Sequence, residues 1–122
     1  MKIINTKTAP QAIWPYSQAM DIWEIIYFSG QIALDKDWNF PHKTIEDQTE
    51  QVCKNIWEIL KSQNLDFWNV FKTTIFLKNM DDFVKVNEIY WKYFSHKPAR
   101  STVEVARLPK DALVEIEVIA KK

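Results

Sequence analysis

Glycine is almost absent from this chain of 122 residues, which contains one glycine, Gly30, but six tryptophans. Average usage would place roughly eight glycines in a globular chain of this length. Glycine is the residue that reaches positive backbone φ angles without steric cost, so its shortage is unusual in a chain with many turns. The tryptophans are residues 14, 23, 38, 57, 68 and 91.

Cysteine and histidine are scarce as well, and this limits the chemistry that the chain can support. Cys53 is the only cysteine and cannot form an intramolecular disulfide, which favours a reducing, cytoplasmic location. The two histidines, His42 and His96, stand in separate polar segments. One cysteine and two isolated histidines give no ligand set for a metal ion, so we expect no metal site.

Neither an excess of charge nor a long apolar run is present. Sixteen basic residues balance sixteen acidic ones, so the chain lacks the broad positive surface that favours binding to nucleic acid. No apolar run approaches the length of a membrane span, and the apolar stretch at the N-terminus is too short for a secretory signal. With 47% hydrophobic residues, residues 1–122 are expected to form a single soluble domain.

Hydrophobic periodicity predicts two helices. The first begins after Thr44, a good N-cap that pairs with Asp47, and its apolar stripe runs from Ile45 to Leu60. The second is capped by Asn79 and has its apolar stripe between Phe83 and Phe94. Period-two patterns and turn residues predict six strands and one tight reversal at Trp23–Glu24. The predicted strands are Lys2–Asn5, Tyr16–Ile22, Ile25–Ser29, Val70–Leu77, Ser101–Ala106 and Leu113–Ile119.

This order of elements predicts an α+β domain with a mixed six-stranded sheet. Connections that contain a helix favour parallel crossovers between the strands they join. We expect both amphipathic helices on one face of the sheet. The other face would then carry apolar side chains without a partner, which favours self-association.

Three charged residues near the C-terminus are candidates for a binding site. Pro98 biases Lys97 toward an extended conformation and ends a loop, so that Arg100 stands at the mouth of the strand predicted from Ser101. A guanidinium in that position can bind a carboxylate with two hydrogen bonds. On the last strand, Glu115 and Glu117 share one face; both would be solvated surface charges unless that face lines a cleft. If that face lines a cleft, one of the two carboxylates has a functional reason to be there, and Arg100 is the leading candidate among the basic residues.

Several short motifs, in this order and spacing, give the chain a family resemblance. It resembles the RidA (YjgF/YER057c/UK114) family of reactive-intermediate imine deaminases over nearly its whole length. The motifs are Thr8-Ala9-Pro10, Pro15-Tyr16-Ser17-Gln18-Ala19, Phe28-Ser29-Gly30-Gln31-Ile32, Lys72-Thr73-Thr74, Met80-Asp81-Asp82-Phe83 with Asn87 and Tyr90, and Pro98-Ala99-Arg100-Ser101 through Leu108-Pro109.

The resemblance implies a homotrimer of chorismate-mutase-like subunits with a cleft at each subunit interface. Such proteins hydrolyse 2-imino acids, such as 2-aminoacrylate/2-iminopropanoate and 2-iminobutanoate, to 2-keto acids and ammonia. Carried over to this chain, Arg100 would bind the substrate carboxylate and Glu115 would hold or activate the attacking water. Tyr16 and Ser29 would line the pocket, and the backbone near Thr102 would help to hold the substrate. No cofactor is expected, since an iminium carbon is already electrophilic.

Two other functions are compatible with the same resemblance. One is a non-catalytic trimer that binds small ligands or acts as a holdase through the same clefts. The other is the endoribonuclease or translation-inhibitor activity that is sometimes attached to the family. The balanced charge argues against the nucleic-acid function.

The resembled family often has glycine at four of the tryptophan positions, namely 14, 23, 38 and 91. At the other two positions, 57 and 68, glycine would be unremarkable. Six tryptophans and one glycine sum to seven, which is close to the normal glycine content alone. We hypothesise that the six codons are UGA, read here as tryptophan although some bacterial lineages read UGA as glycine. The alternative is that they are genuine tryptophans that act as surface aromatics or pocket walls.

Overall fold

One six-stranded sheet and two long helices form the structure, a computed structural model that describes all residues from 1 to 122. The predicted fold class is therefore confirmed. The elements in chain order are β1 Lys2–Ile4, β2 Ala19–Ile22, β3 Ile25–Phe28, α1 Ile45–Ser62, β4 Val70–Leu77, α2 Phe83–Tyr93, β5 Ala99–Glu104 and β6 Val114–Lys121. Three short 3₁₀ turns lie between them.

The strands lie in the order β1-β2-β3-β6-β4-β5. The last strand, β6, is inserted between β3 and β4 and is antiparallel to both. The only parallel pair is β4 with β5, and the connection between them contains α2. The prediction that a helical connection joins parallel strands is confirmed for this pair.

Both helices cover the same face of the sheet. Along β6, alternate residues from Val114 to Ala120 are buried in the core, and α1 packs against both β6 and α2. Thr44 caps α1 as predicted, because its side chain accepts a hydrogen bond from the backbone N–H of Asp47. The opposite face keeps apolar side chains exposed, among them Tyr27 and Val103.

Several predicted boundaries were wrong. Strand β2 begins at Ala19 instead of Tyr16, because the preceding segment is held as a loop by the buried side chain of Gln18. That side chain accepts a hydrogen bond from Thr6 N at 2.6 Å and donates one to Pro10 O at 2.8 Å. A backbone held by side-chain hydrogen bonds does not need a partner strand.

The entrances to α2 and β5 also differ from the prediction. Asn79 caps the 3₁₀ turn Met80–Asp82, and α2 begins only at Phe83. Lys97 has a φ of 59° and is not extended, so the chain reverses there and β5 begins at Ala99, two residues earlier than predicted. Arg100 therefore lies inside the strand instead of at its mouth.

The tight reversal between β2 and β3 is confirmed at Trp23–Glu24. Trp23 has a φ of 72° and Trp38 a φ of 67°, both in the left-handed region. The single glycine, Gly30, does not have a positive φ.

Candidate functional site

A cavity of about 410 Å³ opens beside Glu115. It contains three of the residues that the sequence predicted for a site, namely Tyr16, Ser29 and Glu115. Apolar side chains and two indoles form much of the rest of its wall. The full lining is Trp14, Tyr16, Ser29, Gly30, Ile32, Leu34, Trp38, Pro109, Lys110 and Glu115.

Glu115 is distinguished from Glu117 by its surroundings. Both project from the face of β6 that is opposite the helices, but Glu115 is half-buried in the cavity while Glu117 is exposed. Burial raises the pKa of the Glu115 carboxyl above its ordinary value, and the negative charge of Glu117 raises it further. The pKa of Tyr16 is raised by burial and by the nearby Glu115. A carboxyl with a raised pKa in a cavity is a candidate proton acceptor.

Gly30 lies directly against Glu115. Gln31 and Ile116 exchange two backbone hydrogen bonds, of 2.9 and 3.1 Å, and this bridge holds residue 30 beside residue 115. A β-carbon built on Gly30 would lie 2.8 Å from Cδ of Glu115 and closer still to its Oε1. Only glycine leaves room for the carboxyl group in its observed position.

Ser29 fixes the rim of this cavity. Its hydroxyl donates a hydrogen bond of 2.6 Å to the backbone oxygen of Ser17, and its N–H donates to Gln18 O at 3.0 Å. These two contacts tie the end of β3 to the loop that carries Tyr16. The Ser29 oxygen can still accept a hydrogen bond from a ligand.

Arg100 lies in a second cavity, of about 420 Å³, at the side of α2. Its Nη1 donates a hydrogen bond of 2.8 Å to Asn87 Oδ1. The guanidinium carbon lies 4.9 Å from the ring centroid of Tyr90 and 5.5 Å from that of Phe83, so both rings stabilise the positive charge. The Tyr90 hydroxyl is in turn hydrogen-bonded to the buried Thr73 hydroxyl at 2.8 Å.

The contacts from α2 to Arg100 were not predicted from the sequence. Asn87 and Tyr90 were assigned only to the helix stripe and to the family motif, and their three-residue spacing on one helix face was the available signal. None of the five ion pairs in the structure involves Arg100. Its charge is therefore free to bind an anionic ligand.

Within one chain, Arg100 and Glu115 do not meet. Arg100 is paired with the buried Thr73 on the helix-covered face of the sheet, whereas Glu115 is paired with Phe76 on the open face. The two side chains therefore project from opposite faces of the sheet. A site that uses both must be completed by a second chain.

Thr102 lines neither of these cavities. It is paired with the fully buried Ile75, and its Oγ1 is buried without a hydrogen-bond partner. Strand β5 is an edge strand, so backbone groups on its outer side have no partner strand. The backbone around Thr102 is thus open to a ligand on that side.

Three further features of the structure bear on the function. Neither helix combines the length and the apolar composition that a membrane-spanning helix requires. No group of three or more His, Cys, Asp or Glu side chains is arranged to hold a metal ion. Cys53 is buried, and burial raises the pKa of its thiol above the ordinary range, which leaves it unsuited to act as a nucleophile.

Comparison with known proteins gives consistent matches over the whole chain. The family model described as Endoribonuclease L-PSP matches residues 6–122. A RutC family protein of Pyrococcus horikoshii is 47% identical over 123 residues, which cover 99% of this chain and 98% of that protein. A mouse protein named 2-iminobutanoate/2-iminopropanoate deaminase is 48% identical over 122 residues, covering 98% of this chain and 90% of the relative. The crystal structure of Escherichia coli TdcF with bound serine superimposes with a TM-score of 0.94 at 36% identity, over 100% of this chain and 99% of that one.

Proposed function

Because this chain belongs to the Endoribonuclease L-PSP family, the RidA family of the sequence motifs, we propose that it hydrolyses 2-imino acids to 2-keto acids and ammonia. The observation that carries the proposal is Glu115, a half-buried carboxyl with a raised pKa that faces a cavity of about 410 Å³. The name of the mouse relative, 2-iminobutanoate/2-iminopropanoate deaminase, supports the same chemistry and the same substrates.

The reaction needs a base and a carboxylate anchor. Water adds to the carbon of the protonated imine while Glu115 takes one proton from the water, which gives a carbinolamine. Glu115 then returns this proton to the nitrogen. As the carbon–nitrogen bond breaks, ammonia leaves and the hydroxyl group gives its proton to solvent and becomes the keto oxygen. The carboxylate of the substrate is bound by the guanidinium of Arg100, which fixes the imine carbon near the water. Tyr16 and Ser29 line the side of the pocket that holds the water. Backbone groups near Thr102 complete the binding of the substrate.

We propose that each site is formed between two subunits of a homotrimer. Arg100 and Glu115 lie on opposite faces of the sheet of one chain, so the Arg100 of one subunit would meet the Glu115 of its neighbour. Exposed apolar side chains on the open face, such as Tyr27 and Val103, support association there. TdcF was solved with serine, a small molecule with an α-carboxylate, and this supports a carboxylate-binding role for Arg100.

A subunit-mixing experiment tests both proposals. Arg100→Ala and Glu115→Gln should each abolish imine hydrolysis when the variant protein is measured alone. Mixed trimers of the two variants should regain activity, because some interfaces then combine an intact Arg100 with an intact Glu115. Native mass spectrometry confirms that subunits have exchanged. Mixed trimers without activity would contradict a site shared between subunits. Arg107→Ala, which removes an exposed arginine, is the matched control and should keep full activity.

The imine must be generated during the assay, for example by a serine/threonine dehydratase, with ammonia or the keto acid as the readout. Activity that survives Arg100→Ala would show that the assignment of the site is wrong. Saturable binding of a small carboxylate without any turnover would instead support the non-catalytic binding function.

A further inference from the structure

We propose that positions 14, 23 and 38 carry glycine in the protein that its own cell makes, and that glycine at positions 14 and 38 sets the width of the cavity beside Glu115. The part that concerns the cavity rests on the proposed function. The part that concerns the residues themselves rests on backbone geometry at positions 23 and 38 and on side-chain exposure at position 14.

The backbone at two of these positions has the conformation that favours glycine. Trp23 and Trp38 have φ angles of 72° and 67°, where a β-carbon is crowded by the backbone. Trp23 also occupies the two-residue turn between β2 and β3, and turns of this kind are dominated by glycine, asparagine and aspartate. A bulky aromatic residue is a genuine outlier in this region.

The exposure of the indoles supports the same conclusion. None of the six tryptophans is buried, and the exposed fraction of Trp23 reaches 76%. Tryptophan is on average a highly buried residue because its large apolar surface gains most from removal from water. The exposed indoles at positions 14 and 23 and the half-buried indole at position 38 are explained together if UGA stands at these three codons and is read as glycine.

The indoles at positions 14 and 38 form part of the wall of the cavity beside Glu115. Trp38 donates a hydrogen bond of 2.8 Å from Nε1 to Gln11 O, and Lys110 Nζ lies 5.4 Å from its ring centroid. Trp14 is exposed above the cavity. Glycine at both positions removes two aromatic walls from the approach to Glu115. Imino acids with longer side chains than 2-iminopropanoate should then fit.

The first test is made on the gene and on the protein from its source cells. We expect UGA at the three codons and, in the mass spectra of tryptic peptides, glycine at positions 14, 23 and 38. UGG codons, or peptides with tryptophan, would overturn the proposal.

The second test needs no substrate and uses the melting temperature of purified variants. Trp23→Gly should raise Tm by about 4 °C, since it relieves the left-handed strain and removes few contacts. Trp68→Gly is the matched control, because Trp68 is equally exposed at 72% but does not have a positive φ. Its Tm should stay unchanged or fall. A Trp23→Gly protein that is no more stable than Trp68→Gly would contradict the geometric argument.

The third test concerns the cavity. Trp14→Gly with Trp38→Gly should raise kcat/KM for 2-iminobutanoate by about tenfold relative to the chain with both indoles, while Trp68→Gly should not. An unchanged kcat/KM in an active enzyme would overturn the role of these positions in pocket width. If no variant hydrolyses imines but the codons are UGA and the peptides carry glycine, the proposed function fails and the assignment of glycine stands.

Discussion

The carboxyl group of Glu115 occupies the space that a β-carbon on Gly30 would fill. The bridge between Gln31 and Ile116 fixes the two backbones at this distance, so neither can move away without loss of both backbone hydrogen bonds. The only glycine in the chain therefore allows the Glu115 side chain to lie close to the backbone, and it is not needed for a turn. The need for glycine at position 30 is set by the side chain of Glu115.

Gly30→Ala should displace the Glu115 carboxyl and lower kcat by about a hundredfold, because a base displaced by about 1 Å no longer activates the water. The added methyl group should also lower the free energy of unfolding by about 1–3 kcal/mol through overpacking. Chemical denaturation and imine assays measure the two effects separately.

The matched control for this change is a double-mutant cycle with Glu115→Ala. Once the Glu115 carboxyl group is removed, the methyl group added at position 30 has free space, and residue 30 has no positive φ that would strain an alanine. Gly30→Ala should then lower the free energy of unfolding by less than about 1 kcal/mol. Equal costs in the two backgrounds would show that residue 30 is constrained by something other than Glu115.

Glu117→Gln should move the acid limb of the pH–rate profile to lower pH. In the proposed mechanism Glu115 acts as a base in its ionised form, so activity should be lost as pH falls through its pKa. Removal of the Glu117 charge lowers the pKa of Glu115 toward its ordinary value, while burial still holds it above. Glu24→Gln, which removes an exposed charge on the β2–β3 turn, should leave the profile unchanged. A limb that does not move would mean that another group controls it.

Glu115→Gln should make the protein more stable at neutral pH. The pKa of Glu115 is higher in the folded state than in the unfolded state, so its favourable contribution is complete below the unfolded pKa and is lost as pH rises through the folded pKa. The neutral amide avoids that loss. The difference in unfolding free energy between variant and parent should therefore grow with rising pH and then level off, as measured by urea titrations at several pH values. A difference that is independent of pH would contradict this linkage.

Asn87→Ala should raise KM and lower kcat/KM by about tenfold, because the guanidinium of Arg100 loses the hydrogen bond that orients it toward the substrate carboxylate. Asn87 acts here as a positioning residue. The control is Glu88→Ala, which changes an exposed residue on the same helix. In this control the free energy of unfolding should change by less than about 0.5 kcal/mol, and KM should not change. A loss confined to kcat would contradict a role in carboxylate binding.

Tyr90→Phe should lower the free energy of unfolding by about 1–2 kcal/mol, because it leaves the hydroxyl of the fully buried Thr73 without its partner. The aromatic ring beside Arg100 remains, so KM should change little. The same substitution at the exposed Tyr27 should cost less than about 0.5 kcal/mol. Equal losses at the two positions would argue against a contribution from the buried pair.

Strong local patterns carried most of the fold prediction. The strand Val70–Leu77 was predicted with its observed bounds, since its β-branched and aromatic residues lie between clear turn signals. The start of α1 after Thr44 was equally clear from its cap. The segment before Ala19 was predicted as strand because its alternation is the same, but the hydrogen bonds of Gln18 to distant backbone groups override the pattern. Contacts between residues so far apart in the sequence leave no periodic pattern in the local sequence.

The prediction of the site had a similar limit. Alternation places Glu115 and Glu117 on one face, but only the tertiary structure shows that one carboxyl is enclosed and the other exposed. Arg100 was predicted from its motif, and its place on the opposite face from Glu115 follows from the registers of β5 and β6 on β4. Asn87 was missed as a positioning residue because the local sequence around a polar helix residue does not indicate which distant residue it contacts.

The position of β6 between β3 and β4 also governs when the chain can fold. Without β6 the remaining strands form two units, the β1-β2-β3 meander and the β4-β5 pair, which no strand pairing joins. The strand β6, Val114–Lys121, must therefore be synthesised before the two halves of the sheet can unite. A polypeptide released early, at any codon before the last strand, would expose the facing edges of both halves, and unpaired edges of this kind promote aggregation.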